Sequence, residues 1–245
     1  MATYGIDYLK KKLASKRSRV NLRYNYYEMK NGIDDFSSII PERFKWLSAT
    51  LGWCAKAVDT LSDRLVFDFF DNDDFMISEI FRLNNADILC DSAVLSALIS
   101  SCSFIYIGVD NEGYPKLQVI DGGNATGTID PVTYMLYEGY AVLERDKNGK
   151  PTLEAYFQPG RTDYYENGIL APDLTLTHFA PYALLVPIIN RPDAKRPFGH
   201  SRISRTCMSL TQSALRTLRR SEVSAEFYSV PQKYVLGLAE DAEFN

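Results

Sequence analysis

The 245-residue sequence has few of the side chains on which catalysis and metal binding usually depend. It contains two histidines and four cysteines. The cysteines, at positions 54, 90, 102 and 207, stand far apart and show no C-x-x-C spacing, which argues against a zinc site or a disulfide framework. We expect reduced cysteines that behave as buried apolar residues of a cytoplasmic protein, and we expect no cofactor.

Long hydrophobic runs are also missing. The first residues, MATYGIDYLKKKLASKRSR, lack an apolar stretch, so we expect no secretory signal peptide. No segment approaches the ~18 apolar residues that a membrane span needs. The longest apolar segment, residues 88–109, is interrupted by Asp91 and several serines. It predicts a buried helix that runs into a strand, and we expect no membrane partner.

Familiar catalytic and ion-binding motifs are absent. The sequence contains no Gly-x-Ser-x-Gly and no Cys/His couple. The glycine-rich segment 121–128 has no Lys-Ser/Thr and opens no helix, so a tight β connection is favoured over a phosphate loop. Asp71, Asp73 and Asp74 lack the glycine and the terminal ligand of a calcium loop and are better explained by a helix start. His200 is interpreted as a helix cap or dipole neighbour. We therefore expect no enzyme activity.

Charge is distributed unevenly along the chain. The net charge is −4 and the isoelectric point is about 5.3, which argues against a surface built to coat nucleic acid. Residues 1–23 carry seven Lys/Arg against one acid, and residues 191–220 carry eight against one. Residues 59–91 carry nine acids against two arginines. This segregation suits a subunit that meets different partners, including its own copies, although solvated charged faces would give the same pattern.

The pattern of apolar residues predicts an α+β fold. Residues 1–100 show mostly helical spacing, whereas residues 103–190 contain short aromatic and β-branched runs. Asn-Gly pairs at 148–149 and 167–168 separate such runs and are typical of β-hairpins. Helices do not alternate with the strands, so we expect an antiparallel meander, either a twisted sheet or a small sandwich, rather than a parallel sheet.

A long helix is predicted from about residue 200 to 228, with Pro231 ending it. Its length would be roughly 40 Å at 1.5 Å per residue. It carries five arginines, which are Arg202, Arg205, Arg216, Arg219 and Arg220. A narrow apolar seam with helical spacing runs beside them and consists of Ile203, Cys207, Leu210, Ala214 and Leu218. A narrow seam indicates packing between neighbouring helices, while a surface helix with solvated arginines is the alternative.

Five segments form an ordered pattern along almost the whole chain. They are RYNYYEMKNG (23–32), WLSATLGWCAKAVDTLSDRLVFDFF (46–70), FRLNNADILCDSAVLSALISSCSFIYIGV (81–109), LLVPIINRPDAKRPFGHSRIS (184–204) and LRRSEVSAEFYSVPQKYVLG (218–237). In this pattern the sequence resembles the N-terminal half of the portal, or head-to-tail connector, proteins of tailed bacteriophages. The fourth segment resembles the family's N-R…G-x-S-x-I signature through Asn190, Arg191, Gly199, Ser201 and Ile203. The third has Ser101 where the family often has glycine.

The resemblance implies a portal fold, with a helical N-terminal part, an antiparallel β wing region and a long stem helix. Residues 1–195 correspond to the wing, helical over 1–100 and β-rich over 103–190. Residues 196–230 correspond to a stem helix, and 231–245 to the start of a clip region. The chain is thus expected to be the first half of a longer portal.

The resemblance also implies a function. Portals form a homo-oligomeric, dodecameric ring at one capsid vertex, and double-stranded DNA passes through the ring, without sequence preference, during genome packaging and ejection. The implied partners are terminase, scaffold and major capsid protein, and head-tail connector proteins. The implied locations are the portal vertex of the virion and, during assembly, the bacterial host cytoplasm. Portals are not enzymes.

The direction that the arginines face stays open at this point. They could face DNA or a neighbouring subunit, and the acids of residues 59–91 favour the neighbour. An acidic chain suits a channel, because each phosphate contact would add salt-dependent grip on the DNA. Three alternatives remain: another minor capsid or adaptor protein of the head-tail junction, a nuclease that uses Asp71, Asp73 and Asp74 with a divalent ion, and a basic DNA-binding module. The isoelectric point weakens the last.

Overall fold

The computed structural model describes residues 3–32, 49–68, 70–110 and 112–229. The chain divides into two units. The first comprises Met1–Asn31 and Gly52–Met208, and the second comprises Gly32–Leu51 and Ser209–Asn245. The predicted clip start at 231–245 lies outside the described residues. Helices and antiparallel sheets are both present, which confirms the α+β class. The division into wing, stem and clip stays a prediction.

Five helices are described. They are α1 (Ile6–Tyr27), α2 (Trp53–Ser62), α3 (Ile77–Leu83), α4 (Ala86–Ser100) and α5 (Arg205–Ser229). The first four lie wholly in the first unit. None of the helices in the described ranges is both long enough and apolar enough to span a membrane.

Eight strands form two sheets in the first unit. The strands are β1 (Cys102–Val109), β2 (Pro115–Asp121), β3 (Ala125–Ile129), β4 (Leu136–Arg145), β5 (Pro151–Gln158), β6 (Arg161–Glu166), β7 (Ile169–Thr177) and β8 (Leu185–Ile189). Strands β3 to β7 form a five-stranded antiparallel meander in sequence order, and β2-β1-β8 form a three-stranded sheet. The predicted Asn-Gly turns join β4 to β5 and β6 to β7, and at the second turn Asn167 and Gly168 both have positive φ.

The main core contains residues of both sheets. Phe104 of β1 and Leu185 of β8 cluster with Leu136 of β4 and Phe157 of β5, and all four side chains are fully buried. A hydrogen bond of 2.5 Å between the hydroxyls of Tyr106 and Tyr164 also joins the two sheets. Inward-facing aromatic and branched residues of both sheets thus bury apolar area that stabilises the first unit.

Helix α1 packs against the outer face of the five-stranded sheet. Its residues Leu9 and Leu13 are buried against Tyr140, Val142 and Tyr156. These two leucines lie four residues apart, so they fall on one helix face.

The N-terminal end of α1 is fixed by a buried carboxylate. Glu138 of β4 is fully buried and accepts hydrogen bonds from the backbone N–H groups of Tyr4 and Gly5 and from the hydroxyls of Thr128 and Tyr156. Burial alone would raise the pKa of Glu138, but these hydrogen bonds outweigh it and hold the pKa below its usual value. The carboxylate therefore stays charged at the positive end of the helix.

Helix α5 begins at Arg205, five residues later than the sequence predicts. Ser204 supplies the cap, because its Oγ accepts the N–H of Cys207 at 3.1 Å and its carbonyl accepts the N–H of Met208 at 3.0 Å. Arg202 and Ile203 therefore precede the helix, so Arg202 is not one of its arginines and Ile203 is not part of its apolar seam.

A candidate assembly surface at residues 190–205

Residues 190–203 form a tightly bonded loop, here called the clasp, between β8 and α5. Asn190 closes it through two hydrogen bonds to His200. The side-chain Nδ2 of Asn190 donates to the backbone carbonyl of His200 at 2.6 Å, and the backbone carbonyl of Asn190 accepts the N–H of His200 at 2.8 Å. The N–H of Asn190 also donates to the carbonyl of Ser101 at 3.0 Å. Both ends of the clasp are thus fixed to the end of α4.

Gly199 makes the closure possible. Its φ is +72°, and a Cβ at this position would lie 2.2 Å from the carbonyl oxygen of Asn190. That distance is far inside van der Waals contact, so only glycine fits the close approach of the two backbone segments.

The C-terminal end of the clasp forms hydrogen bonds with the last turn of α4. The Ser201 hydroxyl donates to the carbonyl of Ile99 at 2.5 Å, and the N–H of Arg202 donates to the carbonyl of Leu98 at 2.9 Å. These carbonyls have no partner within α4, so the clasp provides their hydrogen bonds. Ile203 is fully buried in a core with Leu98, Ile99 and residues of α1 and α2.

The connection before the clasp, at Ser101, carries backbone strain. Ser101 has φ +94° and ψ −32°, a conformation that favours glycine. Glycine at this position would adopt the same conformation without that strain.

Helix α1 fixes the middle of the clasp through Phe198. The ammonium groups of Lys12 and Lys16 lie 5.0 and 5.8 Å from the centre of the Phe198 ring. Burial is the main cause that lowers the pKa of both lysines. The Lys12 ammonium also donates to the carbonyl of Gly127 at 2.7 Å, which ties the clasp, α1 and β3 together.

Asp193 organises the tip of the clasp. Its Oδ1 accepts the N–H groups of Lys195 and Arg196 at 2.8 and 2.7 Å, and its Oδ2 lies 2.5 Å from Nε2 of His200. The hydrogen bond from His200, followed by that from Arg196, lowers the pKa of Asp193. His200 is therefore a loop-ordering residue and lies outside α5, so its interpretation as a helix cap is wrong.

The clasp and the first turn of α5 present a cluster of cations. We call it the basic surface, and it consists of the exposed residues Arg191, Lys195, Arg196, Arg202 and Arg205. Within the described ranges, none of the five forms an ion pair with a carboxylate. Arg191 has φ +51°, an uncommon conformation for a residue with a side chain.

The remaining predicted residues lie at different depths along α5. Cys207 is half-buried in the first unit, where its Sγ lies 3.3 Å from that of Cys54. In the second unit, Leu210, Leu218 and Arg220 are exposed. Ala214 and Arg216 are half-buried, whereas Arg219 is buried. The roles predicted for the five arginines and for the apolar seam, in subunit contact or in a DNA channel, stay predictions.

The predicted arginines of α5 differ in how far they are exposed to solvent. Among the α5 side chains that the structure describes in the second unit, the buried ones are Thr211, Gln212, Leu215 and Arg219. The Gln212 amide donates to the carbonyl of Gly32 at 2.7 Å. Arg219, one of the five predicted arginines, is therefore buried within the second unit together with Gln212, since hydrogen bonds allow polar side chains to be buried.

The acidic residues of the segment that the structure describes lie apart from one another or serve a helix start. Among the described residues, no group of three or more His, Cys, Asp or Glu side chains is placed to hold an ion. Asp73 accepts the N–H of Ser78 in the first turn of α3 at 3.2 Å, as expected for an acid at a helix start.

Sequence reasoning missed two features. Glu138 could have been noticed as an acid that shares one face of an apolar strand with Tyr140 and Val142. The second feature is a groove beside α2 and α4, where exposed apolar residues stand among the carboxylates of residues 59–91. The sequence predicts a buried helix that starts at Ile88 and gives no sign that Ile88 is exposed.

Comparison with known proteins gives distant matches. The chain is 23% identical over 229 residues to a protein named portal protein of Mycobacterium phage L5, covering 87% of this chain and 47% of that protein. It is 24% identical to the portal protein of Mycobacterium phage D29, covering 89% of this chain and 48% of that protein. The chain thus spans about half the length of these relatives. No protein-family model matches the sequence.

Proposed function

We propose that this chain is the N-terminal half of a bacteriophage portal protein and acts as a structural subunit of the ring at the capsid vertex. The observation that carries the proposal is the similarity to two phage portal proteins across 87–89% of this chain. The similarity extends through helices, sheets and clasp alike, so it does not depend on one short motif.

The clasp supports a structural role. Four of the five residues of the N-R…G-x-S-x-I signature contact other residues of the same chain. They are Asn190, Gly199, Ser201 and Ile203. They fix the start of α5 to the end of α4, and a rigid helix start is what a subunit needs if its long helix is to pack in a ring. Arg191 is the remaining signature residue, and its side chain is exposed.

In the proposed ring, double-stranded DNA passes through the channel without sequence-specific contacts. The net charge of −4 suits passage, since strong phosphate binding would slow the DNA. We further propose that the ring is dodecameric and meets terminase, scaffold, major capsid protein and head-tail connector proteins. Its place would be the virion, after assembly in the host cytoplasm.

Native mass spectrometry of the purified chain tests this proposal. We expect a single high-order oligomer built from 27.8 kDa subunits. A monomer over the whole range of concentrations and salt would contradict self-assembly of this half. A chain that stays monomeric alone but binds stoichiometrically to a preformed portal ring would instead favour an adaptor of the head-tail junction.

We also propose that the chain has no catalytic activity. Incubation with Mg²⁺ and supercoiled plasmid should leave the plasmid intact. Nicking that is abolished by Asp71→Asn together with Asp73→Asn would favour the nuclease alternative.

A further inference from the structure

A groove on the first unit combines apolar and acidic side chains. We call it the acidic groove; it has a volume of about 590 Å³ and its wall includes Asp59, Asp63, Leu65, Val66, Ile88 and Asp91. Val66 and Ile88 are 80% and 71% exposed. Large apolar side chains clustered at this exposure are typical of an interaction site rather than of a solvated surface.

The carboxylates of the groove lack cationic partners. Within the described part of the chain, Asp59, Asp63 and Asp91 form no ion pair with Lys, Arg or His. Asp59 accepts a hydrogen bond from the Tyr27 hydroxyl at 2.9 Å, which holds it in place at the groove wall. The groove therefore fits a ligand that carries several cations beside apolar atoms.

The basic surface of the clasp has that chemistry. Its five cations stand beside Pro192 and Pro197, and the clasp is held rigid by the bonds of Asn190 and Asp193. A rigid segment loses little conformational freedom on binding, which favours it over a flexible basic segment.

In the described part of one chain, no ion pair joins the basic surface to the acidic groove. The clasp is fixed at Leu98 and Ile99, at the end of α4, whereas Ile88 lies in the first turn of the same helix. Eleven residues of helix separate Ile88 from Ile99, which is about 16 Å at 1.5 Å per residue.

We propose that the acidic groove of one subunit receives the basic surface, residues 190–205, of a second copy of this chain. This contact is head-to-tail, because two different surfaces of the same unit meet. Such contacts repeat from subunit to subunit and close into a ring when the rotation allows it. The inference rests on the proposed function and specifies which surfaces join the subunits.

Site-specific photo-crosslinking of the full chain tests the contact. Benzoylphenylalanine replaces Ile88 in ¹⁵N-labelled chain, which is mixed with unlabelled wild-type chain and irradiated. Mass spectrometry should find mixed-isotope crosslinks to peptides from residues 190–205. The control is the same replacement at Ile169, which is 74% exposed on β7; it should give no crosslink to this segment.

Charge exchange separates a specific contact from mere proximity. Asp63→Lys with Asp91→Lys should lower the crosslink yield about tenfold, and so should Arg191→Glu with Arg202→Glu. A mixture of the two double variants should restore the yield. Asp173→Lys, at an exposed acid of β7, should leave the yield unchanged.

The outcomes distinguish this inference from the proposed function. Rings in which Ile88 crosslinks to another segment would overturn the contact and leave the portal proposal standing. Crosslinks to residues 190–205 without closed rings would support the contact and count against ring formation by this chain. Absence of any crosslink between copies at assembly concentrations would overturn the contact.

Discussion

Replacing Gly199 by alanine should destabilise the protein by about 3 kcal/mol. About 1 kcal/mol comes from placing a side chain at positive φ. The added Cβ would also lie 2.2 Å from the carbonyl oxygen of Asn190, so the two segments must move apart. That movement breaks the two hydrogen bonds between Asn190 and His200, each of which contributes about 1 kcal/mol.

Gly149 provides a matched control. Its φ of +77° is close to the +72° of Gly199, but a Cβ at Gly149 would meet no atom within 4 Å. Gly149→Ala should therefore lower the free energy of unfolding only by the cost of a side chain at positive φ, about 1 kcal/mol.

Thermal unfolding followed by circular dichroism measures the difference. For a chain of this size, 1 kcal/mol shifts the midpoint by about 2–4 °C. We expect a drop of about 6–12 °C for Gly199→Ala and about 2–4 °C for Gly149→Ala. Equal shifts in the two variants would refute the role assigned to close packing in the clasp.

Three further predictions concern the first unit. Ser101→Gly should stabilise the protein by about 1 kcal/mol in urea unfolding, because relief of positive-φ strain exceeds the added freedom of the unfolded chain; Ser101→Ala should give no such gain. Glu138→Gln should cost about 2 kcal/mol at neutral pH. Folding lowers the pKa of Glu138, so the charged carboxylate adds to the free energy of unfolding above the usual glutamate pKa of about 4.3. This contribution is lost as the pH falls through the lowered pKa of the folded state. The stability of the Glu138→Gln variant should therefore depend less on pH in the acid range. Tyr106→Phe and Tyr164→Phe should each cost about 1 kcal/mol, and the double variant should cost less than their sum because both remove one hydrogen bond.

The sequence predicts the hairpin-rich region well because its turns have local causes. Gly149, Asn167 and Gly168 have positive φ, which only a few residue types tolerate. The glycine-rich segment 121–128, predicted to be a tight β connection, also contains most of β3, and β3 and β7 are the two edges of the meander. Pro172 in β7 argues against a strand when only the sequence is read, yet an edge strand accepts proline because one side of its backbone needs no partner.

Helix boundaries depended on tertiary contacts that periodicity does not show. The sequence places a helix start near residue 200, but Ser201 and Ile203 are drawn into bonds and packing with Leu98 and Ile99, so α5 starts only after Ser204. These contacts join residues about a hundred positions apart in the sequence.

The candidate surface was only partly predictable for a similar reason. Charge counting identified both the acidic segment and the arginines, since charge segregation is visible in the sequence. It could not tell that Arg219 is buried while Arg202 and Arg205 are exposed. Reversing the charge of Arg219 would therefore disturb the second unit itself, and the exposed cations of the clasp are better probes of assembly.

Negative-stain electron microscopy of the purified chain tests the portal proposal most directly. Closed rings with a central opening, formed by the wild-type chain and reduced by Arg191→Glu with Arg202→Glu, are the predicted result. Isolated particles of single-subunit size at every protein concentration and salt concentration would contradict the proposal that this chain assembles as a portal ring.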